Sequence, residues 1–185
     1  RSMGQHANPN SKINPSYKAN RKKQELPPLL HKMHQYVKDT HNSVYGYGLE
    51  TDDLVARYWK VLSNEIGRDN VMIVSIDKDY KQFPCLIYNY HYKHKCIYDI
   101  SKAAALYNFY EQMIMGDTSD NVNYFYGKGR AFAKNYYKGC KTKYQYTRKL
   151  FELFKKQYKS KAREKYIECY NLLKLRTQWI QDKHQ

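Results

Sequence analysis

The sequence predicts an α/β fold in which a sheet layer with helices, over residues 25–100, is followed by an all-helical part. The first observation is the continuous apolar, β-branched run 71–76, which is typical of a buried strand. The second is that two more strand-like stretches, 85–90 and 95–98, follow it as the arms of a hairpin. The third is that strand signals then end, while helical patterns continue. Because strands alternate with helices in the sheet layer, we expect parallel strand pairing.

The segment before the sheet layer has two parts. Asn, Ser and Pro are frequent up to residue 16, without an apolar period, so we expect residues 1–24 to be flexible and to become basic from Tyr17. Pro27-Pro28 marks the start of a helix that extends to about Asp39, and its apolar period predicts that it faces the core.

The later helices are defined by their ends. Gly67 is a natural stop for a second helix with a broad apolar face. Ser101 is the expected N-cap of a third helix, which ends at Gly116. Residues 101–140 then form one predicted region, and residues 141–185 are predicted as C-terminal helices.

The composition favours a nucleic-acid partner. The 185 residues suit one compact domain with a helical appendage, and the net charge is 33 − 17 = +16. Such a field attracts polyanions, with nucleic acid ahead of an anionic membrane surface. No apolar run approaches the length of a membrane span, and the four cysteines lack Cys-x-x-Cys spacing. We therefore expect a soluble, cytoplasmic monomer with reduced thiols and no membrane partner.

Acidic residues are concentrated just before the second helix. Glu50, Asp52 and Asp53 surround Thr51, which is the expected N-cap. Carboxylates in a first helical turn also interact favourably with the helix dipole. Ordinary helix capping would explain this cluster if it stood alone.

Two further acidic clusters indicate more than capping. Asp77 and Asp79 follow the buried strand, and Asp117 and Asp120 follow the third helix. Ligands in open α/β sheets bind outside the carboxyl ends of the strands, where these groups would meet. Carboxylates at close range repel, so either their pKa values rise or divalent cations neutralise them. Oxygen ligands without nearby His or Cys favour Mg²⁺ or Mn²⁺. The seven carboxylates are Glu50, Asp52, Asp53, Asp77, Asp79, Asp117 and Asp120.

The order of these motifs resembles that of the 5′ nuclease superfamily, which includes flap endonucleases, the 5′ to 3′ exonuclease domains of bacterial DNA polymerase I and bacteriophage exonucleases. The resemblance implies a PIN-like (Rossmann-like) sheet layer over residues 25–100, preceded by the start of a helical arch. It also implies a helix-three-turn-helix region over 101–140. The motifs are Tyr17-Lys18-Ala19-Asn20-Arg21, Glu50-Thr51-Asp52-Asp53, Val74-Ser75-Ile76-Asp77-Lys78-Asp79, Gly116-Asp117-Thr118-Ser119-Asp120-Asn121-Val122 and Gly127-Lys128-Gly129.

The resemblance implies the hydrolysis of phosphodiesters in DNA with 5′ flaps, ends or branches, or in RNA primers and RNA–DNA hybrids, in a bacterial or infected bacterial cell. Two Mg²⁺ ions, replaceable by Mn²⁺, would activate water and stabilise the leaving oxygen. Lys18 and Arg21 would contact the phosphate at the cut site. The resemblance assigns one ion to Glu50, Asp52 and Asp53 and the other to Asp77, Asp79, Asp117 and Asp120.

The same resemblance predicts a DNA-binding surface around a glycine hairpin. Its backbone N–H groups would face a phosphate, so DNA would be bound without sequence readout. The family binds K⁺ at this hairpin, although here Lys128 stands where an apolar residue is usual. The expected DNA-binding residues are Tyr17, Gly127, Lys128, Gly129, Arg130 and Lys134.

Three questions remain open at the level of sequence. The family has two catalytic aspartates ahead of its arch motif, whereas no Asp or Glu precedes Tyr17 here. A noncatalytic DNA-binding fragment or module would look the same, and we expect this chain alone to bind DNA and to cut it feebly or not at all. The 21 tyrosines, many beside Lys or Arg, suit stacking on nucleobases or reflect A+T-rich coding. A zinc site at Cys85, His91, His94 and Cys96 is less simple than a hairpin turn flanked by the two histidines.

Overall fold

A small sheet and seven helices make up the part of the chain that the computed structural model describes, namely residues 9–20, 27–44 and 49–178. Short 3₁₀ helices lie at Arg68–Asn70, Lys78–Gln82 and Lys159–Lys161. In chain order the main elements are α1 (Pro9–Ile13), α2 (Leu30–Thr40), α3 (Thr51–Glu65), β1 (Met72–Val74), β2 (Leu86–Asn89), β3 (Cys96–Asp99), α4 (Lys102–Met115), α5 (Arg130–Tyr136), α6 (Lys143–Tyr158) and α7 (Ala162–Leu173).

The sheet confirms the predicted mixed α/β class and its parallel pair. β1 pairs in parallel with β2, and β2 pairs antiparallel with β3, so the order is β1-β2-β3 and β1 lies at an edge of the described sheet. β1 is shorter than the run 71–76, although the Ser75 N–H still donates to the Tyr88 carbonyl of β2 at 3.1 Å. Asp77 N–H donates to Ser75 Oγ at 3.0 Å, and the chain then turns into the 3₁₀ helix.

Only one face of the sheet is covered by the described residues. Ile73 and Ile87 are buried in a cluster with Trp59 of α3 and with Phe83. The rings of Trp59 and Phe83 stack at a centroid distance of 5.0 Å. On the opposite face Val74 is 62 % exposed. The continuous apolar run therefore suggested a strand buried on both faces, and this expectation is wrong for the outer face.

A second core lies among the helices after the sheet and is rich in tyrosine. Tyr146 of α6 stacks on Tyr110 of α4 at 5.2 Å and meets Tyr137 edge-on at 5.0 Å. Phe154 and Phe125 extend the cluster at 4.7 Å. Many tyrosines thus serve packing, a role that neither nucleobase stacking nor coding bias had suggested.

The helix ends agree with the sequence at three places and differ at one. Ser101 Oγ accepts the Ala104 N–H at 3.1 Å, as expected for an N-cap. Gly67 has a φ of 87° just after α3, and Gly116 has a φ of 72° just after α4. The predicted Thr51 cap is wrong, since Glu50 occupies the N-cap position without a side-chain cap bond.

Two predictions about the early helices are wrong. α2 exists as predicted, but none of its residues is buried, and Met33 is 56 % exposed. Its amphipathic pattern indicated an apolar stripe but not what would cover it. Residues 9–13 form a helix where a flexible segment was expected. Their partners are remote, since Asn14 Nδ2 donates to Glu168 Oε1 at 2.7 Å, which no local pattern reveals.

Gly116 provides a test of how the fold shapes the loop after α4. A Cβ at this position would lie 2.1 Å from the Val122 carbonyl oxygen, in addition to the strain of its positive φ. That carbonyl accepts the Asp117 N–H at 2.8 Å, so the loop has little freedom to move. We expect Gly116→Ala to lower the melting temperature by roughly 5–10 °C.

Gly129→Ala is the matched control for this test, because Gly129 has a φ of −97° and open space around its Cβ position. Thermal unfolding followed by circular dichroism compares the two variants. Equal melting temperatures would contradict the tight packing at Gly116.

Candidate active site

Acidic groups from three elements come close together at one end of the sheet. Asp52 lies in the first turn of α3, Asp77 and Asp79 follow β1, and Asp117 follows α4. Asp77 raises the pKa of both Asp52 and Asp79, and Asp117 contributes to the raised pKa of Asp79. These carboxylates therefore repel one another across elements that are distant in sequence, as the acidic motifs had predicted.

Glu50 and Asp120 form a second group with the basic motif. The Lys18 ammonium pairs with Glu50 and lies 3.7 Å from Asp120 Oδ2. The Tyr17 hydroxyl donates to Asp120 Oδ2 at 2.9 Å and also lies 3.1 Å from Glu50 Oε2. Lys18 has a φ of 57°, an unusual backbone conformation for lysine that aims this segment at the acids. Asn10 Nδ2 adds a hydrogen bond to Glu50 Oε2 at 3.1 Å.

Tyr17 is 2 % exposed, so it is part of the core and not of the surface. Burial and the negative charges of Glu50 and Asp120 raise the pKa of its hydroxyl far above the usual range. The phenol therefore stays protonated and donates to the carboxylates. It fixes the positions of two acids that lie 70 residues apart in sequence.

Asp79 is the most perturbed carboxylate of the site. Burial raises its pKa to about 7, and the charges of Asp77 and Asp117 contribute to the shift. Gln112 Nε2 of α4 donates to Asp79 Oδ1 at 2.8 Å and opposes that shift. Asp52 is perturbed in the same way, because burial and the charge of Asp77 raise its pKa. Tyr80 donates to its Oδ1 at 3.1 Å and opposes that shift.

The negative charge of Asp117 is stabilised by neighbouring groups. It is 3 % exposed, and its Oδ1 accepts the Ser119 N–H at 2.9 Å and the Ser119 hydroxyl at 2.5 Å. Lys78 lies 3.0 Å from its Oδ2. Burial acts to raise the pKa of Asp117, but these partners outweigh it, and the pKa falls below its ordinary value. Asp117 thus remains ionised.

Asp53 faces the protein interior. It is 3 % exposed, and its Oδ1 accepts the backbone N–H of Arg176 at 2.7 Å. Burial raises its pKa, although the hydrogen bond and the charge of Arg176 oppose the shift. The carboxylate anchors the chain after α7 to the first turn of α3.

The donor chemistry of the site suits a hard cation, but its present geometry does not form a closed ligand set. Within residues 9–20, 27–44 and 49–178, no three His, Cys, Asp or Glu side chains are arranged to hold a metal ion. Lys18 and Lys78 instead supply positive charge at Glu50, Asp120 and Asp117. The oxygen donors fit Mg²⁺ or Mn²⁺ in type, and the two ammonium groups stand where a cation would reduce the repulsion.

The glycine hairpin lies away from the acids in sequence and opens α5. Gly127 has a φ of 73°, and Gly129 is the N-cap residue of α5. The Lys128 ammonium lies over the Phe132 ring at 4.1 Å, and Arg130 pairs with Glu111 at 3.4 Å. Lys134 is exposed on α5. Arg21 lies outside the described residues, and the helix-three-turn-helix geometry stays a prediction.

Several contributors to the site carried no local sequence signal. Asn10, Tyr80, Gln112 and Arg176 reach the acids only through the tertiary fold. Lys78, by contrast, stands between two predicted acids and could have been proposed as their counter-charge. Tyr126, next to the hairpin, is 94 % exposed and was also overlooked.

The residues weighed as a zinc set lie in and beside the β2–β3 hairpin. Cys85 is buried, and its Sγ contacts the Tyr80 carbonyl at 3.6 Å, while His91 and His94 lie in the turn of the β2–β3 hairpin. No three-residue zinc set occurs there. None of the described helices is both long enough and apolar enough to cross a membrane.

Comparisons with known proteins identify the fold. No protein-family model matches the sequence, and a search of curated proteins found no significant match. Among solved structures, the D15 protein of bacteriophage T5, co-crystallised with metal ions, matches with a TM-score of 0.62 and 16 % identity over 88 % of this chain and 69 % of that one. The T5 D15 flap endonuclease, in a pseudo-enzyme–product complex with DNA and metal ions, matches with a TM-score of 0.57 and 17 % identity over 88 % and 68 %. The chain therefore has the fold of these two T5 D15 structures over most of its length.

Proposed function

We propose that the protein is a structure-selective 5′ nuclease, a 5′ to 3′ exonuclease or flap endonuclease that hydrolyses phosphodiesters of DNA and of RNA primers. The observation that carries this proposal is the contact of Lys18 with Glu50 and Asp120, beside the repelling group around Asp79. A basic residue tied to clustered acids suits a reaction in which an anionic phosphate meets divalent cations. The fold of the superfamily supports the same activity.

Two Mg²⁺ or Mn²⁺ ions bound by these acids would activate a water molecule and stabilise the leaving oxygen. Asp52, Asp77 and Asp79 suit one group of ligands, because their charges already interact. Glu50 and Asp120 suit another, since one hydroxyl and one ammonium join them. Asp117 shares the charge of the first group.

Lys18 would change partners when cations enter the site. Its ammonium now offsets the charge of Glu50 and Asp120, a task that a divalent cation performs better. Once released, Lys18 would contact the scissile phosphate together with Arg21. Lys78 would give up Asp117 in the same manner.

Tyr17 and Asp53 would hold the site without contacting substrate. Tyr17 is buried and orients Glu50 and Asp120, so we assign it a positioning role in place of a direct DNA contact. Asp53 is buried against Arg176 and would keep α3 in place instead of completing the ligands of an ion.

DNA with 5′ flaps, ends or branches would lie along the basic surface near the glycine hairpin. The net charge of +16 includes seven motif acids, so only 17 − 7 = 10 acids remain elsewhere to oppose 33 bases. Lys128, Arg130 and Lys134 would contact the backbone, and the exposed Tyr126 ring would stack on an unpaired base. A K⁺ ion at Gly127–Gly129 is a further part of this proposal, carried by the resemblance alone.

A noncatalytic DNA-binding module is the second candidate. The observation in its favour is that the described residues do not contain three acids arranged as a ready metal site. The two candidates share the basic surface and differ in whether bound DNA is cut.

A labelled 5′-flap duplex separates these two candidates. We expect binding that weakens steeply with salt, and cleavage that requires Mg²⁺ or Mn²⁺. Asp77→Asn and Asp120→Asn should reduce cleavage by about 100-fold or more while leaving binding nearly unchanged, because metal ligands serve the chemical step. Tight binding without any divalent-dependent cleavage would overturn the nuclease and favour the binding module.

Replacing Lys18 tests the exchange of partners. We expect Lys18→Met to bind Mn²⁺ at least as tightly as the wild type, because no ammonium competes for Glu50 and Asp120, yet to cleave about tenfold or more slowly. Calorimetry measures the affinity, and single-turnover assays measure the rate. Lys60→Met, an exposed change on α3, is the control. Weaker Mn²⁺ binding by Lys18→Met would contradict a competing role for this lysine.

Asp79 gives the metal-free protein a characteristic pH dependence. Its pKa rises from 3.8 to about 7 in the folded state, so the folded protein holds a proton that the unfolded chain releases between those values. Without metal, stability from this group is therefore greatest at low pH and declines as pH rises through that window. Asp79→Asn should remove this decline and melt above the wild type at about pH 8, by a few degrees.

The measurement is a series of melting curves with a chelator present, between about pH 5 and pH 8. Glu65→Gln, an exposed change on α3, controls for the loss of one acid. If Asp79→Asn melts below the wild type at the upper end of this range, the carboxylate is not held under repulsion.

A further inference from the structure

A cavity lined by lysines and aromatic rings lies among α4, α6 and the segment after α7. Its volume is about 310 Å³, and its walls are mainly apolar, including Leu106, Phe109 and Tyr170. This volume is at the lower end of the range for small-molecule sites. Lys102, at the mouth, is roughly 20 Å along α4 from Asp117, so the cavity is separate from the acidic site.

Three lysines from three elements line this cavity without a carboxylate partner. Lys102 begins α4, Lys143 begins α6, and Lys174 follows α7. None of the three forms an ion pair within the described residues, in a chain where Lys18, Lys78 and other bases do. Lys102 and Lys143 are exposed and Lys174 is half-buried, so an anion in this cavity would be attracted by all three charges.

Lys174 has the most unusual surroundings of the three. Its ammonium lies over the Phe109 ring at 4.9 Å and the Phe83 ring at 5.6 Å. Burial lowers the pKa of Lys174, and the positive charge of Lys143 lowers it further. The half-buried ammonium thus rests on two aromatic rings near a second lysine, and an anion in the cavity would relieve the cost of both burial and like charge.

The first residues of two long helices, where the helix dipole is positive, also line the cavity. Lys102 and Lys143 are the first residues of α4 and α6, which have 14 and 16 residues. Their dipoles add to the charge of the lysines and favour an anion at the mouth, although they would not define a site by themselves. Phe109, Tyr110 and Tyr170 also line the cavity, with Phe109 edge-on to both tyrosines, and they supply aromatic surface for a ring.

We propose that this cavity binds an aromatic phosphate monoester of about mononucleotide size, with the phosphate between Lys143 and Lys174 and the ring against Phe109 and Tyr170. A doubly charged phosphate matches several lysines better than a singly charged carboxylate does. The cavity is recessed between helices, so it suits a small ligand more than the backbone of a duplex. The site is independent of the nuclease proposal.

Binding of adenosine 5′-monophosphate to the whole chain tests this site, measured by calorimetry with a chelator present so that no cation can hold phosphate at the acids. We expect one site per chain, with much weaker binding of adenosine alone and of inorganic phosphate alone. Phenyl phosphate distinguishes the source of the ligand, because equal affinity would indicate that the ring need not be a nucleobase. Failure of all the aromatic monoesters to bind would overturn the proposal.

Lys174→Met and Lys143→Met should each weaken this binding about tenfold or more, whereas Lys156→Met, an exposed change on α6, should not. Leu106→Trp should block the cavity sterically and abolish binding. We expect Lys174→Met to melt at or above the wild-type temperature, because it removes a half-buried ammonium whose charged form is disfavoured by burial. Equal weakening by Lys156→Met would indicate nonspecific attraction. If single-stranded DNA occupies these lysines and the monoester does not compete with it, the lysines belong to a DNA-binding surface. Either result would overturn the proposal.

Discussion

Repulsion among carboxylates is the constraint on which this structure is built. Burial raises the pKa of Asp52 and Asp79, and the charge of Asp77 raises both further, in a protein whose other charges are mostly positive. Such a cluster survives folding only because protonation, hydrogen bonds and ammonium groups offset its charge. Lys18 and Lys78 fill that role here, Lys78 from within an acidic motif and Lys18 from the basic motif before it. The metal-free site is thus balanced by the residues that function would displace.

The elements that hold the acids are themselves tied together by the two ends of the described chain. Arg176 donates its backbone N–H to Asp53 and its Nη2 to the Asn10 side chain at 2.9 Å. Gln82 accepts the Leu175 N–H at 3.3 Å and donates a hydrogen bond to the Gln112 side chain. Gln112 in turn donates to Asp79. The segment after α7 therefore links the sheet core, the helical core and the acidic site. Its stability and the geometry of the acids are coupled for this reason.

The two cores solve different packing problems. The sheet core buries one face of three short strands against α3, and the outer face stays open in the described residues. The helical core relies on tyrosine, whose rings pack edge-on or stacked. The Tyr136 hydroxyl donates to the Lys149 carbonyl at 2.8 Å, whereas the buried Tyr137 hydroxyl has no hydrogen-bond partner among the described residues. Tyrosine supplies large apolar area with a polar end, which suits helices whose other faces are lysine-rich.

The sequence by itself determined the α/β class, the approximate positions of the strands, the caps at Ser101 and Gly116, and the acids that gather at one end of the sheet. These features follow from local periodicity, turn chemistry and motif order, which a chain carries wherever it folds. Only the tertiary structure decided that α2 remains uncovered, that Tyr17 and Asp53 turn inward, and that Asn10, Gln112 and Arg176 reach the acids. Each of these depends on contacts between residues far apart in sequence, and burial and hydrogen-bond partners of that kind have no local pattern.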